Sequence, residues 1–379
     1  MSLETQRTLT LLLPDDADIR CTRLSFQQVQ QDLSAPCYNA GQPLGALSLQ
    51  RQCYHQVKGT LNAQMTISAI RLTAGAYASA QRSGKPAKRP FAFRRARALF
   101  LIGKRGRDAD FRADGTLSLW TVAGRKRVSY TIPDYFQPLF AEALELDSLT
   151  IVERNGKLIG RLTITLDVPE PAAIHPVGID LNETNALVAV DPDGRTLFIS
   201  GKAVKVKNRR TYKTRNRLKR KLAARKAERK STRSVRRTLK RLGRQQSNRT
   251  KTFAQQTAKT LVTWAPKSAV LVFEDLHIPQ PQKGAIKGKS VRRLSEWQHG
   301  AIRRAVESKA QLAGLAIVEV NPAYTSKICS RCGLRGKRKR HTFTCPSCGF
   351  TEHADVNAAL NIRNRFTADR GSWADVKQP

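Results

Sequence analysis

The sequence has few acidic residues, few aromatic residues and no long apolar run. Its 379 residues include 68 Lys and Arg but only 29 Asp and Glu, which gives a formal net charge of +39. A surface with this positive field attracts a polyanion, and nucleic acid is the expected one. Aromatic residues make up 6% of the chain, so extensive stacking of bases on protein rings is not expected.

The lack of long apolar runs also argues against a membrane-spanning segment. No run approaches the roughly 18 apolar residues of a spanning helix, so no membrane partner is predicted. The first residues, MSLETQRTLTLLLPDD, carry acids early and have no small-residue cleavage site after a sustained apolar core. We therefore expect a cytoplasmic protein, associated with the nucleoid when it is bound to DNA.

Cysteine is scarce, yet four of the seven cysteines form two CxxC pairs separated by twelve residues. In a reducing compartment such pairs are typical of metal ligands, although four unconnected thiols are the alternative. The pairs are Cys329 with Cys332 and Cys345 with Cys348, followed by Gly333 and Gly349. We expect four thiolates on a structural Zn²⁺ at about 2.3 Å, with no open coordination position. The residues from Lys337 to His341 are predicted to form a basic tip between the pairs, near a phosphate backbone.

The first part of the chain has no diagnostic motif. A strand is predicted at 7–13, and the segment 27–81 indicates several helices. Short strands are predicted at 96–103, 116–124, 127–132, 148–153 and 157–168, separated by turn signals. The simplest arrangement is a small barrel or sheet that contains a helical insert and is closed by the first strand. Cys21, Cys37 and Cys53 are predicted to be small buried side chains.

From residue 177 onward the order of elements is more informative. Three strands come first, then helices, a strand at 268–273, a helix face from Trp297 to Leu312, a strand at 316–320 and a last helix opening near Ala354. A Pro, Gly and Lys loop is predicted at 280–293. This order predicts an RNase H-like α/β fold, in which the first and fourth strands lie side by side and the last helix crosses them.

Three acidic residues fall at matching places in that fold. Asp180 ends the first strand, Glu274 ends the fourth, and Asp355 lies in the first turn of the last helix. Clustered carboxylates repel one another unless cations lie between them, and hard oxygen ligands favour Mg²⁺. Two Mg²⁺ ions at such a site would support hydrolysis of a phosphodiester. Taken singly, each acid is also explained as a strand-end cap or a helix first-turn acid. Asp191 and Asp275 are secondary candidates, because strand alternation points them away from the trio.

The most basic segment of the chain is expected to contact nucleic acid. Residues 202–251 contain 23 Lys and Arg against one acid, Glu228. Leucines at helical spacing indicate two helices with thin apolar stripes, continued by a helix that Pro266 ends. A solvated charged face is the alternative. However, nearly all of these charges are positive, and their mutual repulsion would destabilise the helices without an anionic partner. The predicted contact residues are Arg209, Arg210, Lys213, Arg217, Arg220, Lys221 and Arg225.

The motifs VGIDLN, VFEDL, NPAYTSKICSRCG, CPSCG and HADVNAALNI resemble those of the transposon-encoded TnpB family, compact relatives of type V CRISPR effectors. The resemblance covers about half of the chain, from Val177 to Arg365. It implies an RNA-guided DNA endonuclease of an insertion-sequence element, with a guide RNA derived from a transposon end and double-stranded DNA as target. Asp180, Glu274 and Asp355 then correspond to the metal-binding trio of a RuvC-like domain. Asn182 departs from the family, because many relatives have glycine there.

The resemblance also implies domain boundaries. Residues 1–172 would form a wedge-like β domain with a helical recognition insert at about 17–85. Residues 173–327 would form the first part of the RuvC-like domain, including basic helices at 202–265. The zinc ribbon would span 328–350, the last RuvC-like helix 351–366, and a tail 367–379.

Two other functions are consistent with the same residues. The first is an RNA-guided DNA-binding regulator that does not cut. The second is a structure-selective junction resolvase with the same trio, although such enzymes generally lack the zinc ribbon and the basic helices. The order Asp, Glu, Asp favours RuvC-type nucleases over transposases of the same fold. The sequence leaves the oligomeric state open.

Overall fold

The computed structural model describes residues 2–103, 108–171, 174–182, 184–276 and 299–369. Within them the chain divides into two units, Ser2–Asp167 and a second that begins at Val168. Both contain helices and sheets, so the fold is mixed α/β. No helix in these ranges has the length and apolarity needed to cross a membrane. The predicted loop at 280–293, Trp297 and residues 370–379 of the predicted tail lie outside the described residues.

The first unit contains four helices between its first two strands. These elements are β1 (Ser2–Leu12), α1 (Ala17–Asp32), α2 (Ser34–Asn39), α3 (Ala46–Val57), α4 (Ala63–Arg82) and β2 (Arg97–Leu101). Asp16 and Asn62 cap α1 and α4 by accepting hydrogen bonds from Ile19 N and Met65 N. The helices α2, α3 and α4 fall within one residue of the predicted segment 27–81, whereas α1 begins at Ala17, ten residues before it. Cys37 and Cys53 are buried as predicted, whereas Cys21 is exposed on α1.

The remaining strands of this unit complete a ring. They are β3 (Ala109–Phe111), β4 (Thr116–Thr121), β5 (Gly124–Ser129), β6 (Ala143–Arg154) and β7 (Lys157–Pro169), with the short helix α5 (Gln137–Ala141) before β6. One sheet has the order β1-β7-β6-β2 and the other β3-β4-β5. Single bridges join Ile102 to Ala109 and Leu12 to Thr131, so the first strand closes the ring as predicted. The short β3 and α5 were not predicted.

The second unit is organised around a five-stranded sheet. Its strands are β8 (His175–Asp180), β9 (Asn185–Val190), β10 (Thr196–Ser200), β11 (Ala269–Glu274) and β12 (Ala316–Val320). The order is β10-β9-β8-β11-β12, and β8 is parallel to β11 and antiparallel to β9. The predicted neighbours, the first and fourth strands of this unit, therefore lie side by side.

Helices cover both faces of this sheet. They are α7 (Arg233–Trp264), α8 (His299–Leu312) and α9 (Ala354–Asp369), and a further helix, α6 (Lys202–Ala227), packs on α7. Ile179, Leu271 and Phe273 face the core that includes buried residues of α7 and α8, whereas Val270 and Val272 face α9. This division follows from the alternation of side chains along each strand.

The helices α6 and α7 pack through polar side chains as well as the thin apolar stripes. Arg249 donates to Asn208 Oδ1 at 2.9 Å, and Arg215 donates to Gln246 Oε1 at 3.0 Å. The two helices correspond to the predicted basic pair, and α7 continues without a break to Trp264. Consequently most of the positive charge remains on their outer surfaces.

A three-stranded sheet carries the cysteines. Its strands are β13 (Lys337–Lys339), β14 (Thr342–Thr344) and β15 (Thr351–His353). Residues 351–353, predicted as part of the last-helix segment, instead pair with β14, from Thr342 with His353 to Thr344 with Thr351. Three residues are too few to produce a strand pattern in a sequence, so this strand was missed. The last helix also runs to Asp369, three residues beyond the predicted end.

Candidate active site and metal centre

Asp180 and Glu274 lie at the ends of neighbouring parallel strands and on the same face of the sheet. Gly178 pairs with Val272, so two residues further along, Asp180 and Glu274 are adjacent in register. Because side chains alternate, both acids share the face on which Gly178 and Val272 contact α9. The strand pairing therefore brings together two acids that are 94 positions apart (274 − 180).

Asp355 reaches the same region from the start of α9. The helix packs very closely on β8, because a Cβ placed on Gly178 would lie 2.0 Å from the carbonyl oxygen of Ala359. Asp355 is 1% exposed and accepts a hydrogen bond from Asn185 Nδ2 at 2.8 Å. Asn185 begins β9, so this bond joins the first turn of α9 to the strand next to Asp180.

The electrostatics of Asp180 indicate that the three carboxylates are neighbours. The pKa of Asp180 is raised to about 7, mainly by burial and also by the charges of Glu274 and Asp355, against the lowering effect of a hydrogen bond from Asn182. Asn182 Nδ2 donates this bond to Asp180 Oδ2 at 3.0 Å. The residue that departs from the family pattern therefore contacts the predicted site directly.

Glu274 is also held in a desolvated position. Burial raises its pKa, while a hydrogen bond from Thr325 and the charge of Arg365 lower it. Thr325 Oγ1 donates to Glu274 Oε1, and Thr325 itself is buried just before the cysteine segment. A fixed hydroxyl donor thus orients the carboxylate at the end of β11.

The three acids do not form a cage for a single ion. In the part of the chain that the structure describes, two groups of His, Cys, Asp or Glu have ligand atoms within 4.8 Å of one another, and the trio is not one of them. Oxygens that share one Mg²⁺ lie within about 4.2 Å of each other, because each bond is about 2.1 Å. In the described residues the three carboxylates are therefore too far apart for one Mg²⁺ to contact all of them.

The basic tip of the ribbon contacts one of the acids. Arg338 Nη2 donates to Asp355 Oδ1 at 2.8 Å, and Arg338 lies at the centre of β13. The residues from Lys337 to His341 are predicted from the sequence to contact phosphate, and the contact of Arg338 with the trio was not predicted. Nothing local in a run of basic residues distinguishes this arginine from its neighbours.

The four cysteines converge as the spacing predicted. Their sulfur atoms lie within 4.8 Å of one another, with Sγ to Sγ distances of 3.7 Å from Cys329 to Cys348 and 3.5 Å from Cys332 to Cys345. Tetrahedral zinc with bonds of about 2.3 Å separates its sulfurs by about 3.8 Å, so this group fits the ion. The structure therefore contains a cysteine cluster that could hold a metal ion.

Two matching turns shape this cluster. Gly333 N donates to Cys329 O at 2.9 Å, and Gly349 N donates to Cys345 O at 3.0 Å. Both glycines have positive φ, +74° and +68°, which residues with a Cβ rarely adopt. Backbone N–H groups of Cys348 and Ser347 lower the pKa of Cys345 to about 6, which favours the thiolate that binds metal.

Side chains of α9 connect the helix to the cysteine turns. Asn357 accepts from Ser330 N at 2.9 Å and donates to Ile328 O at 2.8 Å. Asn361 donates to Ile328 O and to Thr325 O, both at 2.8 Å. In the sequence these asparagines are recognisable only as part of the motif HADVNAALNI. Their structural role is to join the helix that carries Asp355 to the ribbon.

The secondary candidates have other surroundings. Asp191 is fully buried and accepts from Arg195 N and Nε at 2.8 and 2.5 Å, so it shapes the turn between β9 and β10. Asp275 N donates to Val320 O at 2.9 Å, which extends the pairing of β11 with β12. Neither belongs to a cluster of potential metal ligands in the described ranges.

Most of the predicted nucleic-acid contacts are exposed on α6. The exposed side chains are those of Arg209, Arg210, Lys213, Arg217, Arg220 and Lys221. Arg225 is half-buried and donates to Ser231 O at 3.1 Å, at the turn between α6 and α7. This surface has the charge and accessibility that a phosphate backbone requires.

Comparison with known proteins finds similarities to one family and its relatives. Residues 299–362 match the family described as Cas12f1-like, TNB domain. The TnpB-like protein aq_aa05 of Aquifex aeolicus (strain VF5) is 32% identical over 131 residues, which are 32% of this chain and 42% of that protein. The chain is similar to members of the TnpB family. This family is related to type V effectors, so the resemblance found in the sequence is confirmed.

Two further similarities concern a curated relative and a solved structure. The putative RNA-guided DNA endonuclease InsQ of Escherichia coli (strain K12) is 33% identical over 109 residues, 25% of this chain and 27% of that protein. A Cas12f1 solved in complex with sgRNA and target DNA has a TM-score of 0.59 at 15% identity, covering 91% of this chain and 83% of that one. The structural likeness shows a shared fold. The matched regions span less than half the length of both curated relatives.

Proposed function

We propose that this chain is a TnpB-type RNA-guided DNA endonuclease that hydrolyses phosphodiesters at Asp180, Glu274 and Asp355 in an RNase H-like, RuvC-type domain. The observation that carries the proposal is the meeting of the three carboxylates at the ends of β8 and β11 and the start of α9. The names of InsQ and Cas12f1 support the same activity.

The surroundings of the trio fit divalent cations. Asp180 is 8% exposed, and burial together with the other two carboxylates raises its pKa. A buried group of negative charges is stabilised by cations, and carboxylate oxygens are preferred by Mg²⁺. Two such ions, when bound, activate the attacking water and stabilise the leaving oxygen.

The residues of the chain have distinct parts in this reaction. Asp180 and Glu274 hold their oxygens toward one face of the sheet, and Asn182 and Thr325 restrain their rotation. Asn185 restrains Asp355. The exposed basic side chains of α6 would bind the guide RNA or the DNA through phosphates, while base pairing selects the target.

The remaining assignments complete this proposal. The four cysteines would bind a structural zinc, the first unit would act as the wedge-like domain with its recognition helices, and the guide RNA would come from the end of an insertion-sequence element. Their support is the sulfur geometry, the ring of strands with inserted helices, and the similarity to the TnpB family.

A regulator without cutting activity is the second candidate, and one contact favours it. Arg338 forms an ion pair with Asp355 at 2.8 Å, and its positive charge opposes a cation at this carboxylate. An endonuclease must break this ion pair so that Asp355 can bind a metal ion. A regulator that binds DNA without cutting it can keep the ion pair. A junction resolvase has no comparable observation in its favour.

The deciding experiment is a cleavage assay. The protein is purified with the RNA that co-purifies with it, that RNA is sequenced, and a plasmid carrying the matching target is incubated with the complex and Mg²⁺. We expect cleavage by the wild type and by Asp193→Ala, an exposed turn residue, and none by Asp180→Ala with RNA binding retained. An intact plasmid with the wild type favours the regulator, and cleavage by Asp180→Ala rejects the assigned site.

A further inference from the structure

A second cluster of potential ligands adjoins the trio. One ligand atom each of His341, His353 and Asp355 lies within 4.8 Å of the others. His341 is exposed in the turn between β13 and β14, His353 is half-buried at the end of β15, and Asp355 is buried. Asp355 therefore belongs both to the trio and to this cluster, which we call the histidine cluster.

The fold holds the two imidazoles in place. Strand pairing sets Thr342 opposite His353, which brings His341 beside it, and the rings stack with centroids 5.6 Å apart and planes 17° apart. Ala354 N donates to His341 O at 2.7 Å. The ring of Phe198 packs edge-on against His353 at 5.1 Å. The histidines are thus positioned by the backbone and by neighbouring rings.

The chemistry of this cluster differs from that of both other sites. Imidazole suits zinc, cobalt and nickel, whereas Mg²⁺ prefers oxygen alone. Two imidazoles and a carboxylate supply three ligands and leave a fourth position for water, unlike the four thiolates of the ribbon. We propose that His341, His353 and Asp355 form a binding site for a divalent transition metal of the zinc and cobalt class.

Occupation of this site would withdraw Asp355 from Asp180 and Glu274. Asp355 already accepts from Asn185 on one oxygen and from Arg338 on the other, so a transition metal bound to this carboxylate reduces the negative charge and the lone pairs left for Mg²⁺. The transition metal therefore inhibits cleavage by competing for one carboxylate. This inhibitory effect rests on the proposed function, whereas binding of the metal does not.

Two contacts oppose the metal and limit its affinity. Asp355 N donates to His353 Nδ1 at 3.2 Å, and this hydrogen bond is lost whether the metal binds Nδ1 or binds Nε2 and so moves the proton to Nδ1. The positive charge of Arg338, 2.8 Å from Asp355, repels a cation at the same carboxylate. Removal of this charge should strengthen metal binding. A substitution that merely disrupts the site would weaken metal binding instead.

The test is cobalt binding to the full chain with zinc already in the ribbon and without nucleic acid. We expect a visible ligand-field spectrum of Co²⁺ without a thiolate-to-cobalt charge-transfer band, since the ribbon thiolates are occupied. His341→Ala should weaken Co²⁺ binding about tenfold or more. Arg338→Gln should strengthen it about threefold or more. His175→Ala, which removes an exposed histidine at the start of β8, should leave it unchanged.

Zinc content and circular dichroism verify that each variant has folded with its ribbon intact. Equal Co²⁺ affinity in the wild type and His341→Ala, or a spectrum that contains only the thiolate band, overturns the site. In the cleavage arm, micromolar Zn²⁺ should inhibit the wild type more strongly than His341→Ala at fixed Mg²⁺. Co²⁺ binding by a protein that does not cleave DNA supports the metal site and contradicts the proposed endonuclease. Failure of the metal site can therefore be distinguished from failure of the proposed function.

Discussion

Gly178 of β8 lies directly beneath Ala359 of α9, with no room for a side chain between strand and helix. A Cβ at position 178 would meet the carbonyl oxygen of Ala359 at 2.0 Å and the backbone nitrogen of Arg363 at 2.8 Å. Both are backbone atoms, so the clash cannot be relieved by rotation of a flexible side chain. The close approach brings Asp355 to the sheet edge where Asp180 ends its strand.

Gly178→Ala should therefore destabilise the protein by about 1–3 kcal/mol or more, since α9 has to move away from the sheet. Chemical denaturation followed by circular dichroism measures this change. Gly243→Ala is the matched control in α7, where the nearest atom is the end of Arg215 at 3.8 Å. It should be neutral or stabilising by up to about 1 kcal/mol. Equal stability of the two variants would contradict the close packing.

The burial of Asp180 predicts how stability depends on pH without Mg²⁺. Its pKa is raised to about 7 in the folded protein, above the value of about 3.9 in an unfolded chain. The folded state thus binds the proton more tightly. This contribution to stability is fully present below about pH 4 and is lost as the pH rises through about 7.

Asp180→Asn should remove this dependence. Wild type in Mg²⁺-free buffer should lose stability between about pH 5 and pH 8 relative to Asp180→Asn, by an amount on the order of a few kcal/mol. Denaturation midpoints at several pH values give the comparison. Parallel curves for the two proteins would show that the carboxylate is not desolvated.

Much of the second unit was predictable from the order of its elements. Strand alternation and strand order bring Asp180 and Glu274 to one face, because both properties are encoded in short local patterns. The pairing of Arg338 with Asp355 was not predictable. It depends on how the ribbon sheet folds back on α9, and a run of basic residues gives no signal for which member turns inward.

The role of the trio as metal ligands remains a prediction, while the connection between α9 and the ribbon is a structural result. Asn357 and Asn361 fall in a motif that resemblance could recognise but not explain. Their amides contact backbone atoms that are 27 to 36 residues away in the sequence. Such long-range bonds leave no periodic pattern, so only the folded chain reveals them.

Loss of the Asn357 amide should loosen the ribbon. Asn357 is fully buried and bonds to Ser330 N and Ile328 O, so Asn357→Ala leaves unpaired backbone groups and should cost about 1–3 kcal/mol. Asn364→Ala removes an exposed donor to Ser330 O and should have a much smaller effect. The rate of zinc transfer to a chelator measures the difference. Similar rates for both variants would contradict the role of Asn357.

Removal of one ribbon thiolate should release the zinc. Cys345 is buried among the four sulfurs, so Cys345→Ser should lower the zinc content well below one ion per chain and expose the ribbon to proteolysis. Cys21→Ser is the control, because Cys21 is an exposed thiol on α1. Metal analysis of the purified proteins gives the result. Full zinc content in Cys345→Ser would reject the ribbon assignment.

The exposed face of α6 predicts how binding responds to salt. A protein that neutralises phosphates releases condensed counterions, so the slope of log Kd against log salt concentration reports the number of contacts. Replacement of Arg209, Arg210, Lys213 and Arg217 by Gln should weaken binding to RNA or to single-stranded DNA and reduce the slope by about 0.7 per lost contact. All four side chains are exposed, so their loss leaves the core of the unit intact.

Charge-conserving replacement at the same helix separates electrostatics from shape. A variant with Arg209, Arg210 and Arg217 changed to Lys keeps all positive charges, so it should retain the salt slope of the wild type. Fluorescence anisotropy with a labelled oligonucleotide at several salt concentrations measures both variants. An unchanged slope in the Gln variant would mean that this face is merely solvated, and the phosphate contacts would have to be sought on other surfaces of the chain.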